Sequence, residues 1–321
     1  MSSQRVHASE RTASVSAPAG VVYGLLADAV RWPLLLPGHL HVERMDFDGV
    51  RERLRVWDLP GGERIRSGHV RRILDPRTRT VAFTQEDTAR PGAPTTGSWT
   101  VEEDGATGSR LTLRREHTLE GLPAGRSARS GADLDRETAE LLGRVKETAE
   151  LWERLDELLL SFEDSVRVPG PAELVYDFLH RIADWPELVP HVEWAEVTED
   201  LPGVQLAVLD GSAGPDGRSR TSRTARLCFP AAERIVFKEL RTPEPIAAHS
   251  GEWFLVREND GVRVVCAQQV MLREAGVEAV LGAGTELAEA RRQVRMWLGR
   301  AGTEVLRLAK WHAQSAVRRL R

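Results

Sequence analysis

The sequence is poor in the residues that build covalent or metal-linked frameworks. Of its 321 residues only two are cysteines, Cys228 and Cys266, and they lie in apolar segments without CxxC spacing. This arrangement excludes a disulfide scaffold and a zinc site built on cysteine pairs. We therefore expect two reduced thiols in a protein core, which is typical of a cytoplasmic protein.

Long apolar runs and a strong net charge are also missing. No uncharged apolar stretch is long enough to span a bilayer, and the first residues lack the apolar core of a secretory signal. The formal net charge is -4, the charges are dispersed, and only three residues are lysines. These features predict a soluble intracellular protein that has neither nucleic acid nor a membrane as partner.

Motifs for nucleophilic, metal-dependent and phosphate-binding chemistry are absent. There is no GxSxG elbow, no HExxH helix and no glycine-rich phosphate loop. His39 and His41 place two imidazoles on one strand face, but no cysteine or HExxH segment completes a zinc site around them. The sequence therefore predicts a protein that works without a metal ion or a cofactor.

What the sequence does contain is an internal duplication. The segment Val15–His39, VSAPAGVVYGLLADAVRWPLLLPGH, returns as Val166–His191, VRVPGPAELVYDFLHRIADWPELVPH. The two tyrosines of the chain, Tyr23 and Tyr176, occupy matching places in these segments. A repeat this long is a whole domain rather than a solenoid unit, so we expect an N-terminal domain at 1–160 and a C-terminal domain at 161–321.

Each half carries the same order of predicted elements. A short strand precedes a helix, the helix is interrupted at Trp32-Pro33 or Trp185-Pro186, and six runs of alternating character follow with short turns between them. We expect the chain to leave the helical region at each tryptophan, because the residue before proline disfavours that conformation. Six consecutive strands with hairpin turns predict an antiparallel sheet.

A long helix closes each half in this interpretation. Its apolar residues recur at spacings of three and four: Leu141, Val145, Thr148, Trp152, Leu155 and Leu159 in the first half, and Leu287, Ala290, Val294, Trp297, Ala301, Val305 and Leu308 in the second. A helix packed on its own sheet is favoured over a coiled coil, because charged heptad flanks are not sustained.

The order of elements resembles the helix-grip fold of START and Bet v 1 type proteins. We expect an α+β protein of two tandem helix-grip domains, each an antiparallel curved sheet wrapped round a long C-terminal helix with two short helices. Such a layout leaves a cavity between helix and sheet that suits an apolar small molecule. The alternating pattern alone is compatible with other α+β folds.

One polar residue recurs in the middle of each sheet. Arg72 precedes ILDPRTRTVAF, and Arg226 precedes LCFPAAERIVF at the matching place. If these arginines point inward, each needs a carboxylate partner or an anionic ligand, because an unpaired buried charge is costly. The alternative is a solvated outer face, which is common for arginines on strands.

These motifs carry a resemblance to a known family. RWPLLLPGH, RRILDPRTRTV and SWTVEE resemble segments of the aromatase/cyclases of bacterial type II polyketide synthases, and the duplication resembles their di-domain class. The resemblance covers nearly the whole chain. It implies that a pocket arginine is central to catalysis and is assisted by a Trp-Pro segment, an aromatic hydroxyl and a serine.

The resemblance places these roles on particular residues. The arginine falls on Arg72 and Arg226, the hydroxyl position falls near His39 and near His191 or Val192, and the serine position falls on Val70 and Thr224. We expect Arg72, Arg226, His39 and His191 as catalytic residues. The expected substrate-binding residues are Trp32, Ser67 and Trp99 in the first half and Trp185, Ser222, Thr224 and Trp253 in the second.

The proton transfers of an aldol reaction need a group other than arginine, because a guanidinium does not give up its proton near neutral pH. His39 and His191 are candidates, since an unperturbed imidazole titrates at about pH 6.5. His69 alternates to the face opposite Arg72 and is a weaker candidate. For each histidine the alternative is a surface or core residue without chemistry, and the matched tryptophans are equally compatible with a purely packing role.

The expected function is therefore that of a cofactor-free polyketide aromatase/cyclase. The resemblance implies intramolecular aldol closure and dehydration of the first ring, between the seventh and twelfth carbons of a poly-β-ketone tethered to an acyl carrier protein of a type II synthase. One alternative is a ligand-carrying or lipid-binding module without turnover. Another is that one half only supports the other, and the sequence leaves open which half carries the chemistry.

Overall fold

A computed structural model describes residues 6–59, 64–87, 94–118, 124–213, 219–282 and 284–319. The chain divides into two compact units, Met1–Leu155 and Asp156–Arg321, which are called unit 1 and unit 2 below. The division falls before the expected boundary at 160/161. That boundary would cut through the first strand of unit 2, which already begins at Leu159.

Unit 1 is a seven-stranded antiparallel sheet with helices. Its strands are β1 (Val6–Val15), β2 (His39–Phe47), β3 (Arg51–Asp58), β4 (Arg66–Asp75), β5 (Thr80–Asp87), β6 (Thr95–Asp104) and β7 (Gly108–Thr118). Its helices are α1 (Ala19–Ala27), α2 (Trp32–Leu35) and the closing helix α3 (Ala124–Ala149). The strand order is β1-β7-β6-β5-β4-β3-β2, and α3 packs against β1 and β7.

Unit 2 repeats this arrangement. After α4 (Leu155–Leu158), its strands are β8 (Leu159–Val168), β9 (Trp194–Leu201), β10 (Val204–Ala213), β11 (Ser219–Phe229), β12 (Arg234–Glu239), β13 (Ile246–Glu258) and β14 (Gly261–Leu272). Its other helices are α5 (Ala172–His180), α6 (Trp185–Leu188), α7 (Glu274–Leu281) and α8 (Leu287–Arg319). The strand order is β8-β14-β13-β12-β11-β10-β9, and α8 packs against β8 and β14. The predicted α+β fold with two tandem helix-grip domains is confirmed.

The inward and outward faces of β4 follow the predicted alternation. The even-numbered residues 68–74 are buried, whereas the odd-numbered residues 69–73 are exposed. Arg72 and His69 are therefore on opposite faces, as predicted, and Arg72 is the residue that lies on the inner face. The equivalent arginine of β11, Arg226, is also buried. The solvated-face alternative is excluded for both arginines.

The Trp-Pro bend forms, but the expected cause was wrong. Trp32 has helical torsion angles, φ -55° and ψ -37°, and Pro33 lies in the first turn of α2, where its missing N–H is not needed. The chain leaves the helical region earlier, at Asp28, where ψ is 72°. The Trp32 indole then donates a 3.2 Å hydrogen bond to the carbonyl of Leu25 and holds the bend closed.

The predicted apolar seam of the first closing helix extends too far. The helix α3 ends at Ala149, so that Trp152 lies in a turn, Leu155 starts α4 and Leu159 starts β8. Periodicity misled here because the next apolar residues belong to the core of unit 2, where Leu158 is 3% exposed. In the second half, the whole predicted seam from Leu287 to Leu308 lies on α8.

Two further expectations concern cysteines and membranes. Cys228 and Cys266 are both buried and unbonded, as predicted. Among the residues that the structure describes, no helix combines the length and apolar character that crossing a bilayer requires.

Candidate active site

Unit 2 encloses a cavity of about 490 Å³ between its sheet and α8. Its apolar walls include Ile182, Trp185, Leu209, Phe237, Trp253 and Val305. Its polar lining includes Thr224, Arg226, Glu239, His249 and Gln268. An apolar chamber with a small group of convergent polar side chains is the usual form of a small-molecule site.

Arg226 is held rigidly on the inner face of β11. Its Nη1 donates to Oε1 of Gln205 at 2.8 Å and to the carbonyl of His180 at 3.3 Å, and its Nη2 donates to the carbonyl of Leu179. Those carbonyls end α5, where the helix dipole is negative. Among the described residues, no carboxylate forms an ion pair with Arg226. Burial lowers the pKa of its guanidinium, although arginine retains its proton in proteins.

The equivalent arginine of unit 1 has a different neighbour. Arg72 donates to the carbonyls of Leu26 at 2.8 Å and Ala27 at 2.6 Å, at the end of α1. Its Nη2 also lies 2.5 Å from Oε1 of Glu52, a carboxylate whose side chain is fully buried. Both members of this ion pair are thus removed from solvent. The other carboxylate oxygen of Glu52, Oε2, accepts a 2.9 Å hydrogen bond from Nε of the partly exposed Arg44.

Strand register explains the difference between the two arginines. Glu52 lies directly opposite Arg72 in the β3–β4 ladder, and Gln205 lies directly opposite Arg226 in the β10–β11 ladder. The two units therefore differ by a carboxylate and an amide at the same place. Unit 1 has an internal ion pair, whereas unit 2 presents a cation fixed by neutral acceptors.

The cavity of unit 1 is much smaller, at about 70 Å³. It is lined by Trp32, Val70, Arg72, Gln85 and Trp99, among others. The Trp32 ring packs against the arginine, with Cζ of Arg72 4.9 Å from the ring centroid. The side chains that would face a ligand in unit 1 thus pack on one another instead.

A carboxyl group that the sequence analysis did not single out lies in the unit 2 cavity. Glu239, at the end of β12, pairs in the sheet with Thr224 on one side and His249 on the other. The Thr224 hydroxyl donates a 2.6 Å hydrogen bond to Oε1 of Glu239. Burial raises the pKa of Glu239 to about 7, against the opposing effects of Thr224 and Arg226.

His249 is a buried neutral imidazole in the same row. Nε2 of His249 lies 3.0 Å from Oε1 of Gln268, whose Nε2 donates to the carbonyl of Leu298 at 3.5 Å. Since the amide oxygen only accepts, Nε2 of His249 carries the proton in this arrangement. Burial lowers the pKa of His249 to about 4.

The two predicted catalytic histidines lie in different surroundings. His39 lines the small cavity of unit 1, where its Nδ1 lies 2.5 Å from Oδ1 of Asp58 and its ring lies 5.1 Å from that of Trp32. His191 lines the large cavity of unit 2, with its Nδ1 3.5 Å from Oε1 of Glu304. His191 is therefore the predicted histidine that faces room for a ligand.

Most of the predicted substrate-binding residues line a cavity, with one exception. Trp32 and Trp99 line that of unit 1, and Trp185, Ser222, Thr224 and Trp253 line that of unit 2. Ser67 is half-buried on β4 and is not among the residues that line these two cavities, so its role stays a prediction.

Sequence reasoning missed Glu239, His249 and Gln268. A signal for Glu239 was present, because alternation along RIVFKEL places Ile235, Phe237 and Glu239 on one face, and a carboxylate on a face of this kind is unusual. His249 and Gln268 lacked such a signal. Their role depends on the pairing of β12, β13 and β14.

Comparison with known proteins decides the family. Two family models described as "Polyketide cyclase / dehydrase and lipid transport" match residues 6–150 and 168–293. This chain belongs to the polyketide cyclase/dehydrase family. It is 35% identical to the granaticin polyketide synthase bifunctional cyclase/dehydratase of Streptomyces violaceoruber, over 98% of this chain and 96% of that one. It is 33% identical to the actinorhodin counterpart of Streptomyces coelicolor, over 96% and 98%.

Solved structures of di-domain aromatase/cyclases resemble this chain over both units. BexL, from the BE-7585A biosynthetic pathway, has a TM-score of 0.85 at 34% identity and covers 95% of this chain and 98% of its own. StfQ, from the steffimycin pathway, has a TM-score of 0.82 at 26% identity and covers 96% and 99%. The chain is a cyclase/dehydratase of polyketide biosynthesis, as the resemblance in its motifs implied.

Proposed function

We propose that the cavity of unit 2 is the chamber in which the first ring of a poly-β-ketone is closed and dehydrated. The ring forms between the seventh and twelfth carbons, and the substrate arrives as a thioester of an acyl carrier protein. Unit 1 has the same shell but does not serve as a second reaction chamber. Unit 1 instead contributes to the folded structure of the chain.

Cavity volume is the observation that carries this proposal. Small-molecule sites span about 300–1,000 Å³, and the unit 2 cavity, at about 490 Å³, lies within that range. The unit 1 cavity of about 70 Å³ has room for only a few water molecules, each of which takes about 30 Å³ in the liquid. A polyketide long enough to close a six-membered ring fits the former and not the latter.

The chemistry needs a fixed cation beside the reacting carbonyl groups. An aldol closure passes through an enolate and an alkoxide, and preorganised donors that face the developing charge lower the barrier. Arg226 suits this role because its position is fixed by neutral acceptors and its charge is not consumed by a carboxylate. Arg72 does not suit this role, because its guanidinium already forms an ion pair with Glu52.

The walls of the chamber supply regiochemistry. Trp185, Phe237 and Trp253 are largely buried and rigid, and the rings of Phe237 and Trp253 lie 6.1 Å apart. Flat side chains around a flexible poly-β-ketone restrict it to few folded shapes, and holding two carbons in reacting geometry removes much of the entropic barrier. The exposed Arg241 on the cavity lining provides positive charge for an acidic carrier protein.

The test exchanges the residues opposite the two arginines. Gln205→Glu gives Arg226 the ion pair of unit 1, and Glu52→Gln gives Arg72 the neutral neighbour of unit 2. In a synthase reconstituted with carrier-bound substrate, we expect Gln205→Glu to lower first-ring product about 100-fold, the size of effect seen when oxyanion stabilisation is lost. Glu52→Gln retains the wild-type product.

The opposite pattern, with activity lost in folded Glu52→Gln and kept in Gln205→Glu, would place the chemistry in unit 1. A small soluble thioester of the same acyl chain, assayed in parallel, separates loss of chemistry from loss of carrier docking.

A further inference from the structure

Glu239 is the one carboxyl group among the residues that line the unit 2 cavity, within the part of the chain that the structure describes. It is surrounded by protein, and its partial exposure is towards the cavity. Among the described residues, its hydrogen-bond partner is the hydroxyl of Thr224. A buried carboxyl with one weak donor and no contacting cation is costly for stability, so it calls for a functional reason.

The sheet brings Glu239 and Arg226 to the same inner face. In the β11–β12 ladder, Thr224 lies opposite Glu239 and Arg226 lies opposite Phe237. Arg226 and Glu239 are therefore diagonal neighbours, and such positions are separated by about 7–8 Å in an antiparallel sheet. This spacing leaves room for a reacting ketone between a donor of hydrogen bonds and a group that moves protons.

We propose that Glu239 is the catalytic acid and base of the unit 2 cavity, that it transfers protons to and from the poly-β-ketone, and that Thr224 positions its carboxyl group. This proposal rests on the assignment of the reaction to unit 2. It adds the proton-transfer group that Arg226 itself cannot provide.

The reaction balances with Glu239 regenerated. The carboxylate takes a proton from an activated methylene carbon, and the resulting enolate carbon forms a bond to the carbon of a ketone while Arg226 binds the oxygen anion that develops. Glu239 then returns the proton to that oxygen. In the dehydration, the carboxylate takes a second α-proton, the carbon–oxygen bond breaks, and the leaving hydroxide recovers the proton from Glu239 as water. Neither oxidant nor reductant is required.

Glu239 suits both halves of this cycle better than the imidazoles of the cavity do. With a pKa of about 7, both of its protonation states are present near neutral pH, where a general acid and base is most effective. The pKa of His249 is about 4, so it is neutral in that range, and its Nε2 proton is bound to Gln268. His249 is therefore poorly suited to exchange protons, and its remaining ring nitrogen, Nδ1, can only accept a hydrogen bond.

Unit 1 lacks this group at the same place. The matching row of its sheet consists of Val70, Gln85 and Thr95, so the threonine, the glutamate and the histidine of unit 2 are all replaced. The row of unit 1 thus has no titrating residue, and the cavity of unit 1 is also the smaller of the two. Cavity volume and the titrating residues of this row are thus two independent features that both favour unit 2 as the reaction chamber.

The main test compares Glu239→Gln and Glu239→Asp with Glu252→Gln, a control on the neighbouring strand whose side chain does not line the cavity. With carrier-bound substrate, we expect Glu239→Gln to lower first-ring product about 100-fold, Glu239→Asp to retain part of the rate, and the control to match wild type. Wild-type rates in folded Glu239→Gln would overturn the proposal.

A pH profile distinguishes catalysis from a structural role. The titrating or charged groups that line the cavity with Glu239 are His191, Arg226, Arg241, His249 and Cys266. The rate of wild type should rise through an inflection near pH 7 as Glu239 loses its proton, and Thr224→Val should move that inflection to higher pH, because the Thr224 hydrogen bond lowers the pKa of Glu239. A parallel His191→Gln series identifies any inflection from that imidazole. An inflection that stays in place in Thr224→Val contradicts the proposal.

Thermal stability provides a second test if the Glu239→Gln variant is inactive. Glu239 has a pKa raised above the ordinary 4.5, so its contribution to stability is present below that value and is lost as the pH rises through 7. Glu239→Gln should therefore melt several degrees above wild type at pH 8.5 and close to it at pH 5. An inactive variant that melts lower at pH 8.5 has lost its fold, and the Thr224→Val inflection then decides.

The outcomes also separate this proposal from the assignment of the chamber. If Gln205→Glu is inactive while Glu239→Gln is fully active, unit 2 is the chamber and Glu239 is not its acid and base. If both are active, the chamber itself lies elsewhere.

Discussion

At the scale of residues, one substitution separates the two arginine sites. Glu52 and Gln205 occupy the same place in their ladders, and each contacts the arginine opposite. In a buried ion pair such as Arg72–Glu52, the positive charge of the arginine faces a carboxylate of the protein and is less available to a ligand. An arginine held by an amide and by helix-end carbonyls keeps its charge for an anionic transition state.

A second residue-scale prediction concerns acid stability. His249 is buried with a pKa near 4, against an ordinary value of 6.5. Its stabilising effect is present above pH 6.5 and is lost as the pH falls towards 4, which amounts to about 3 kcal/mol. Chemical unfolding of His249→Asn should show a flatter loss of stability over this range than wild type, with the exposed His69→Asn as control. Equal slopes in wild type and His249→Asn would contradict this.

At the scale of elements, α8 forms one wall of the cavity and is tied to β8. Arg295 makes two hydrogen bonds to Asp164, at 2.8 Å and 3.1 Å, and its guanidinium lies 4.2 Å from the centre of the Phe162 ring. Paired contacts of this kind are the strongest that arginine forms, although both side chains retain some solvent exposure. The bridge fixes the helix over the sheet.

Arg295→Met should therefore lower the free energy of unfolding by about 1–2 kcal/mol. Arg292→Met is the matched control on the same helix. Within the described part of the chain, Arg292 forms an ion pair with the exposed Glu289 one turn away, and such pairs contribute about 0.5 kcal/mol or less. Denaturant melts of the two variants check this expectation. Equal losses in the free energy of unfolding would show that the Arg295–Asp164 bridge contributes no more than an exposed ion pair.

The order of elements was predictable because rare residues mark it twice. The matched tyrosines and Trp-Pro pairs, together with strand alternation, indicated the positions of the strands and placed Arg72 and His69 on opposite faces of β4, but they left open which face is buried. The end of α3 at Ala149 was not predictable, because apolar spacing continues across the boundary into residues that pack in unit 2. Periodicity indicates which residues are buried, but it does not indicate to which of the two domain cores they belong.

The site was predictable only in part for a similar reason. The resemblance to a family pointed to the arginines, but their different partners emerge from strand register, which places Glu52 and Gln205 opposite them. Glu239 was overlooked at the end of β12, whose sequence RIVFKE carries two further charged residues, Arg234 and Lys238. Pairwise contacts between distant segments are what the sequence pattern leaves out.

At the scale of the whole molecule, the duplication preserved a shell and changed its contents. Both units keep the bent helix pair, the arginine bonded to its end and the seven-stranded sheet. Unit 2 has a chamber with titrating groups, whereas unit 1 has a small cavity and an arginine that forms an ion pair with Glu52. A reaction that needs one enclosed substrate requires only one such chamber.

The most direct measurement removes the polar pair from one unit at a time. Glu52→Leu with Arg72→Met replaces the pair of unit 1 by apolar side chains, a kind of exchange that buried ion pairs often tolerate, and Gln205→Leu with Arg226→Met does the same in unit 2. Products of the reconstituted synthase are then compared for the two folded double variants. We predict first-ring product at the wild-type level from the unit 1 variant. From the unit 2 variant we predict shunt polyketides that lack the correctly closed first ring. First-ring product from the unit 2 variant, or its loss from the unit 1 variant, would contradict the assignment of the chemistry to unit 2.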